Sequence, residues 1–248
     1  MHTPPRPLII DGPKGAIVHA DGPALRIDVF DRASTRFPLR TLSRVISAPG
    51  VEWKDLAIRA CLSVGIPILF RDEQGNCLGY MLHTQRERHD LYERLSILVT
   101  RTDGSQHYQD WKDAALRRAH LKFVHLIDHH LQDLRPATVI KAFENIWIQC
   151  GGTENELATL RTLVTGIAVS WIADHSIPEE VEGIDARYPF LIDISELLFW
   201  HLMVFWRFER PKWANPQQLA SWLWKHDENL KNQAYELVWL LICAMEGW

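Results

Sequence analysis

Residues Arg187–Glu209 read RYPFLIDISELLFWHLMVFWRFE, a long apolar run broken by one acidic pair, Asp193 and Glu196. Leu191, Ile194, Leu198 and Leu202 recur with helical spacing, so this stretch is predicted to be a buried helix. Asp193 and Glu196, three residues apart, lie on one side of it, at the edge of the face expected to be buried. Carboxylates so placed need partners. They either cap and pair at the helix start, behind Pro189, or form half of a site for Mg²⁺ or Mn²⁺.

Outward from that helix, the text from residue 85 to the end reads as helices. Tyr108, Trp111, Ala115, Ala119, Phe123, Ile127 and Leu131 make a stripe that predicts a helix from Tyr108 to Leu134, stopped by Pro136. A shorter piece over Leu91–Thr102 precedes it. Val139–Cys150 follows, then the Gly151-Gly152 break and a capping box, Thr153 with Glu156, opening a helix to about His175. A polar acidic loop from Ser176 to Asp185 leads into the Arg187–Glu209 helix. Two more helices, Asn215–Trp224 and Asp227–Glu246, come after Pro211.

Residues 1–84 read differently. Seven short apolar runs, PLIID, AIVHA, ALRIDVF, RFPL, LSRVISA, IPILFRD and NCLGYM, are separated by turn signals such as Asp11-Gly12-Pro13 and Asp21-Gly22-Pro23. One helical face, Trp53, Leu56, Ala57, Ala60, Cys61 and Val64, interrupts them and ends at Gly65. The expected class is therefore α+β: a β-sandwich-like domain with one short helix over 1–84, then an all-α domain over 85–248.

The 248 residues carry a net charge of −4, with 47% hydrophobic and 23% charged residues, as an ordinary globular chain does. Basic residues concentrate in 1–135, with 19 Lys+Arg against 16 Asp+Glu, whereas 136–248 holds 8 against 15. Phosphate contacts, if any, are expected from the first part. Arg86, Arg88, Arg94, Arg117, Arg118 and Lys122 are the candidates for tracking a DNA backbone, interleaved with acidic residues that also suit an ordinary charged surface. His125, Asp128 and His129 have a spacing on one helix that can hold a metal, or form a solvated polar face. The cysteines, Cys61, Cys77, Cys150 and Cys243, lack CxxC spacing, so neither zinc nor disulfides are expected. The sequence shows no uninterrupted apolar span of the length needed to cross a bilayer and no signal-peptide core, giving the expectation of a cytoplasmic protein away from membranes. Glycine-rich phosphate loops and nucleophile elbows are absent from the sequence. Tryptophans crowd the second half, and Trp200, Trp206, Trp222 and Trp224 are numerous enough that some are expected at the surface, facing a protein partner.

The order of these features resembles the CRISPR-associated integrase family, which inserts new spacers. The resemblance rests on the first hairpins, then FPLRTLSRVI, then a helix ending GIPILF, then a glycine-containing last strand, and downstream on LIDISELLFW. It extends over most of the chain. It implies a β domain that mediates homodimerisation, and it matches Asp193 and Glu196 to a metal-binding Asp and a second acidic residue. The family's site also needs a glutamate from an earlier helix and a histidine shortly before the aspartate. Here those places hold Thr165 (Val164 in a register shifted by one) and the neighbourhood of Gly183, with His175 the nearest histidine. The resemblance thus implies an integrase-like chain that has lost most of its metal ligands, with no cofactor or weakly bound Mg²⁺/Mn²⁺. Such a chain would serve as a structural or DNA-binding subunit of an adaptation, defence or mobile-element complex, with double-stranded DNA and a protein as partners. The alternative is an active metal-dependent endonuclease or integrase whose rearranged site recruits Asp174, His175 or Glu182.

Overall fold

The computed structural model describes residues 5–11, 15–82, 94–97, 100–127, 133–175, 188–209, 211–213 and 216–246. Its first part is built of strands β1 (Arg6–Ile10), β2 (Ile17–Asp21), β3 (Ala24–Asp28), β4 (Thr35–Pro38), β5 (Leu42–Ser47), β6 (Glu52–Trp53), β7 (Ile68–Arg71) and β8 (Cys77–Met81). They form two four-stranded sheets, β1-β5-β7-β8 and β4-β3-β2-β6. The seven expected runs are all there, and β6 is an addition. Trp53, expected to begin a helix, instead pairs with Val18 of β2 and donates its indole N–H to Ser47 Oγ at 3.0 Å.

Helix α1 is consequently shorter than the expected Trp53–Gly65 span, covering Asp55–Ser63. Ala57 and Cys61, one turn apart, are its buried residues, whereas Leu56 and Val64 are exposed. Nine residues laid along β2 bury a narrow stripe, not the broad face that the sequence suggested.

Strand alternation explains how the two parts join. Val45 and Ile68 point into the core between the sheets, with Leu8, Val18 and Leu25, while their neighbours Ile46 and Leu69 point the other way into the helical core. The β1-β5-β7-β8 sheet is therefore covered on both faces.

The helices are α2 (Gly104–Ile127), α3 (Pro136–Gln149), α4 (Glu154–His175), α5 (Phe190–Glu209), α6 (Pro216–Trp224) and α7 (Asp227–Glu246), and residues 94–97 are also helical. The capping box at the start of α4 is present: Thr153 N–H donates to Glu156 Oε2 at 2.8 Å, and Glu156 N–H to Thr153 Oγ1 at 3.2 Å. Helix α4 is long and apolar enough to cross a membrane by composition, contrary to the expectation of no such span. Since 67% of its most apolar window is buried against other elements, it reads as a core helix. Helix α5 packs against α2, α4 and α7, so Phe190–Glu209 occupies the centre of the bundle.

The tryptophans fill that bundle. Trp200, Trp206 and Trp222 are buried, and Trp224 is half-buried under the Arg6 guanidinium at 4.7 Å, so none of the four is exposed as some were expected to be. The physical reason for Trp200 and Trp222 is that their indole N–H groups find acceptors inside, Glu196 at 2.8 Å and Glu209 at 2.7 Å, as Trp111 does in the Leu237 carbonyl at 2.8 Å. The exposed tryptophan among the described residues is Trp239.

Candidate functional site

Helix α5 begins at Phe190, and the Asp193 N–H already bonds back to the Pro189 carbonyl at 2.9 Å. Asp193 thus falls in the first turn, where a negative charge is favoured. It is only 5% exposed. Lys112 Nζ lies 2.8 Å from its Oδ1, and the Tyr108 hydroxyl donates to its Oδ2 at 2.8 Å. Tyr108 and Lys112 are one turn apart on α2, which brings both to the same carboxylate. Burial, reinforced by the Asp193 charge, pushes the Tyr108 pKa up, so this hydroxyl stays protonated and remains a donor.

Glu196 sits one turn further along α5 and is half-buried. Its Oε1 accepts the Trp200 indole N–H, and its Oε2 accepts Arg161 of α4. The Arg161 guanidinium also lies 3.9 Å from the centre of the Phe199 ring, a cation–π contact that fixes it in place. Thr165, one turn beyond Arg161, gives its hydroxyl to the Arg161 carbonyl at 3.0 Å. These groups border a cavity of about 340 Å³ between β8 and the α4/α5 pair, lined by Tyr80, Arg161, Thr165, Ser195, Glu196 and Phe199 among others.

Behind Trp200 lies His120, buried, with its ring edge-on to the indole at 4.3 Å between centres. Burial holds its pKa below the ordinary histidine range, against an opposing pull from Glu196.

The structure brings together Asp193, Glu196 and the cavity beside Thr165. It does not gather the other sequence candidates there. His175 stacks on Trp171 at 4.3 Å, and Asp174 faces Lys231 at 3.7 Å. Glu182 and Gly183 lie outside the described residues, as do Arg86, Arg88, Asp128 and His129. His125 is exposed, and among the described residues no three His, Cys, Asp or Glu side chains converge as metal ligands. Arg117, Arg118 and Lys122 are exposed on α2, and Arg94 lies over the Trp239 ring at 5.1 Å. Sequence reasoning missed Lys112 and Arg161 altogether. The only signal for them was their place one turn from Tyr108 and from Thr165.

The two-layer β part capped by a helical bundle around a central acidic helix defines an α+β fold known from solved proteins. Residues 9–106 match the family model for CRISPR associated protein Cas1. The fold agrees along the whole length. A CAS1 protein from Thermotoga maritima superimposes with a TM-score of 0.68 at 9% identity, covering 96% of this chain and 97% of that one. The Cas1 named TtCas1, in complex with DNA, gives 0.62 at 14% identity over 96% of this chain and 91% of that one. A casposase bound to its integration product gives 0.62 at 11% identity, covering 98% and 91%. No curated protein matches the sequence.

Proposed function

We propose that this chain is a Cas1-type integrase-like protein that works as a structural and DNA-binding subunit and does not itself join DNA strands with a divalent ion. The observation that carries this reading is Thr165. At the place where the family resemblance asks for a glutamate, the side chain is a hydroxyl that donates to its own helix. Ion-assisted phosphoryl transfer needs carboxylates that neutralise and position the metal, and loss of one commonly costs orders of magnitude in affinity or rate. The cavity beside Thr165 supports the same reading, since Leu78, Leu191, Ile192 and Phe199 line it.

Partners follow from the similar proteins. A Cas1 is solved with DNA, a casposase with its integration product, and a Cas1 region of matching fold within a Cas6-RT-Cas1–Cas2 complex. For this chain the corresponding partners are double-stranded DNA, through exposed Arg117, Arg118 and Lys122, and a protein subunit, with the β part pairing two copies.

The test is a strand-joining and cleavage assay with Mn²⁺, run beside a DNA-binding titration at two salt concentrations. Salt-sensitive binding without turnover is expected. Turnover with Mn²⁺ that disappears in Asp193→Ala overturns the proposal.

A further inference from the structure

The carboxylates of Asp193 and Glu196 present four oxygens, and each already has a donor from this chain. Lys112 faces Oδ1 and Tyr108 faces Oδ2 of Asp193, both at 2.8 Å. Trp200 bonds Oε1 of Glu196 at 2.8 Å, and Arg161 bonds Oε2. Two of the four donors are cationic. They come from different helices, Lys112 from α2 and Arg161 from α4, and both reach the acidic pair of α5.

A divalent ion does not fit this arrangement. It needs carboxylate oxygens as ligands, at the short distances that Mg²⁺ or Mn²⁺ requires. Here it would have to displace two hydrogen-bond donors and share the site with an ammonium and a guanidinium, whose like charge opposes it. The local charge is already balanced, with two carboxylates against two cations. The cations are also anchored: Arg161 by the Phe199 ring, and Lys112 by a carboxylate that is 5% exposed and cannot be hydrated instead.

We infer that Lys112 and Arg161 are tethered replacements for the two positive charges of a divalent ion, so that the acidic pair on α5 is satisfied by the chain's own side chains. The inference rests on the reading above that the chain works without ion-dependent catalysis, and it supplies the physical means. The acidic pair then persists as a fold element. Asp193 ties α5 to α2 and Glu196 ties α5 to α4, work that a bound ion would otherwise do across the same helices.

The experiment measures Mn²⁺ itself, by isothermal titration and by thermal unfolding of the full chain in EDTA or in 1 mM MnCl₂. The wild type is expected to show no Mn²⁺ site and the same Tm in both conditions. Removing one partner of a buried pair is strongly destabilising, so Lys112→Gln is expected to lower Tm by roughly 6–20 °C. In the Lys112→Gln/Arg161→Gln double variant, part of that loss is expected to return with Mn²⁺, and adding Asp193→Asn should remove the recovery. If the double variant does not fold, Arg161→Gln alone, at a part-exposed position, serves the same comparison. Stoichiometric Mn²⁺ binding by the wild type, abolished by Glu196→Gln, overturns the inference, as does a Lys112→Gln Tm equal to the wild type's.

The two readings fail separately. Wild type that binds no Mn²⁺ yet joins DNA in EDTA sinks the proposed function and leaves the tethered cations standing. Wild type that binds Mn²⁺ without joining DNA does the reverse.

Discussion

Gly166 of α4 lies directly against Arg44 of β5: a Cβ placed on the glycine would come within 3.2 Å of Arg44 Cδ. Arg44 is 1% exposed, and its Nη1 lies 2.9 Å from Asp227 Oδ1 at the start of α7. The missing side chain at 166 thus clears a channel for a buried cation that reaches from the β part to the helical part. Asp227 at a helix N-terminus is itself favoured there, which strengthens the acceptor.

This relationship predicts a graded series. Gly166→Ala should cost about 1–3 kcal/mol, because Arg44 must give by a few tenths of an ångström, and Gly166→Leu more, by expelling the guanidinium. Arg44→Met should cost roughly 3 kcal/mol by leaving Asp227 without its buried partner. Urea midpoints and a double-mutant cycle between positions 44 and 227 check it. Additive single effects would show that the pair does not couple the two parts.

A second close approach is equally specific. A Cβ on Gly152 would lie 2.3 Å from Trp147 Nε1, and that indole donates to the Thr153 carbonyl at 3.0 Å and packs on Trp206 at 5.1 Å. Gly152→Ala is expected to swing Trp147 out of this cluster, lowering stability by about 1–3 kcal/mol and changing the near-ultraviolet circular dichroism. An unchanged aromatic signal would mean the ring is not held where the structure puts it.

His201 on α5 supplies a pH dependence. Burial, with a smaller contribution from nearby Lys122, lowers its pKa to about 4. The unfolded chain, with an ordinary histidine pKa of about 6.5, then binds more protons than the folded chain between those values. Stability is therefore full above about pH 6.5, falls as pH drops towards 4, and is lost by about 2 kcal/mol at pH 5. Comparing urea midpoints of the wild type and His201→Asn at pH 7 and pH 5 isolates this group. Equal pH slopes in the two proteins would refute it.

The fold was legible in sequence where period and punctuation agreed. The strands of the β part, the Thr153–Glu156 capping box and the α5–α7 boundaries follow from alternation, helical stripes and turn residues, all local signals. The errors arose where a side chain's fate depends on distant atoms. Trp53 has the spacing of a helix start, yet pairing with β2 claims it. Trp200 and Trp222 look surplus to a core until Glu196 and Glu209 are seen to accept their N–H groups. The acidic pair was visible, but its partners were not: Lys112 is separated from Asp193 by 81 positions, and nothing local to either residue announces the contact.

Arg117, Arg118 and Lys122 stand exposed on α2, one turn and more beyond Lys112, and none of the ion pairs among the described residues involves them. The chain as a whole is acidic, so binding driven by its net charge would be repulsive, and any affinity must come from a local cluster. Each lysine or arginine that neutralises a phosphate contributes about 0.9 to the slope of log affinity against log salt on double-stranded DNA. Arg117→Ala/Arg118→Ala/Lys122→Ala should therefore flatten that slope by roughly 2–3 and weaken binding at low salt across sequences alike, without moving Tm. Fluorescence anisotropy over a salt series checks it. A slope unchanged from the wild type would place the DNA on another face of the protein and leave α2 as a solvated surface.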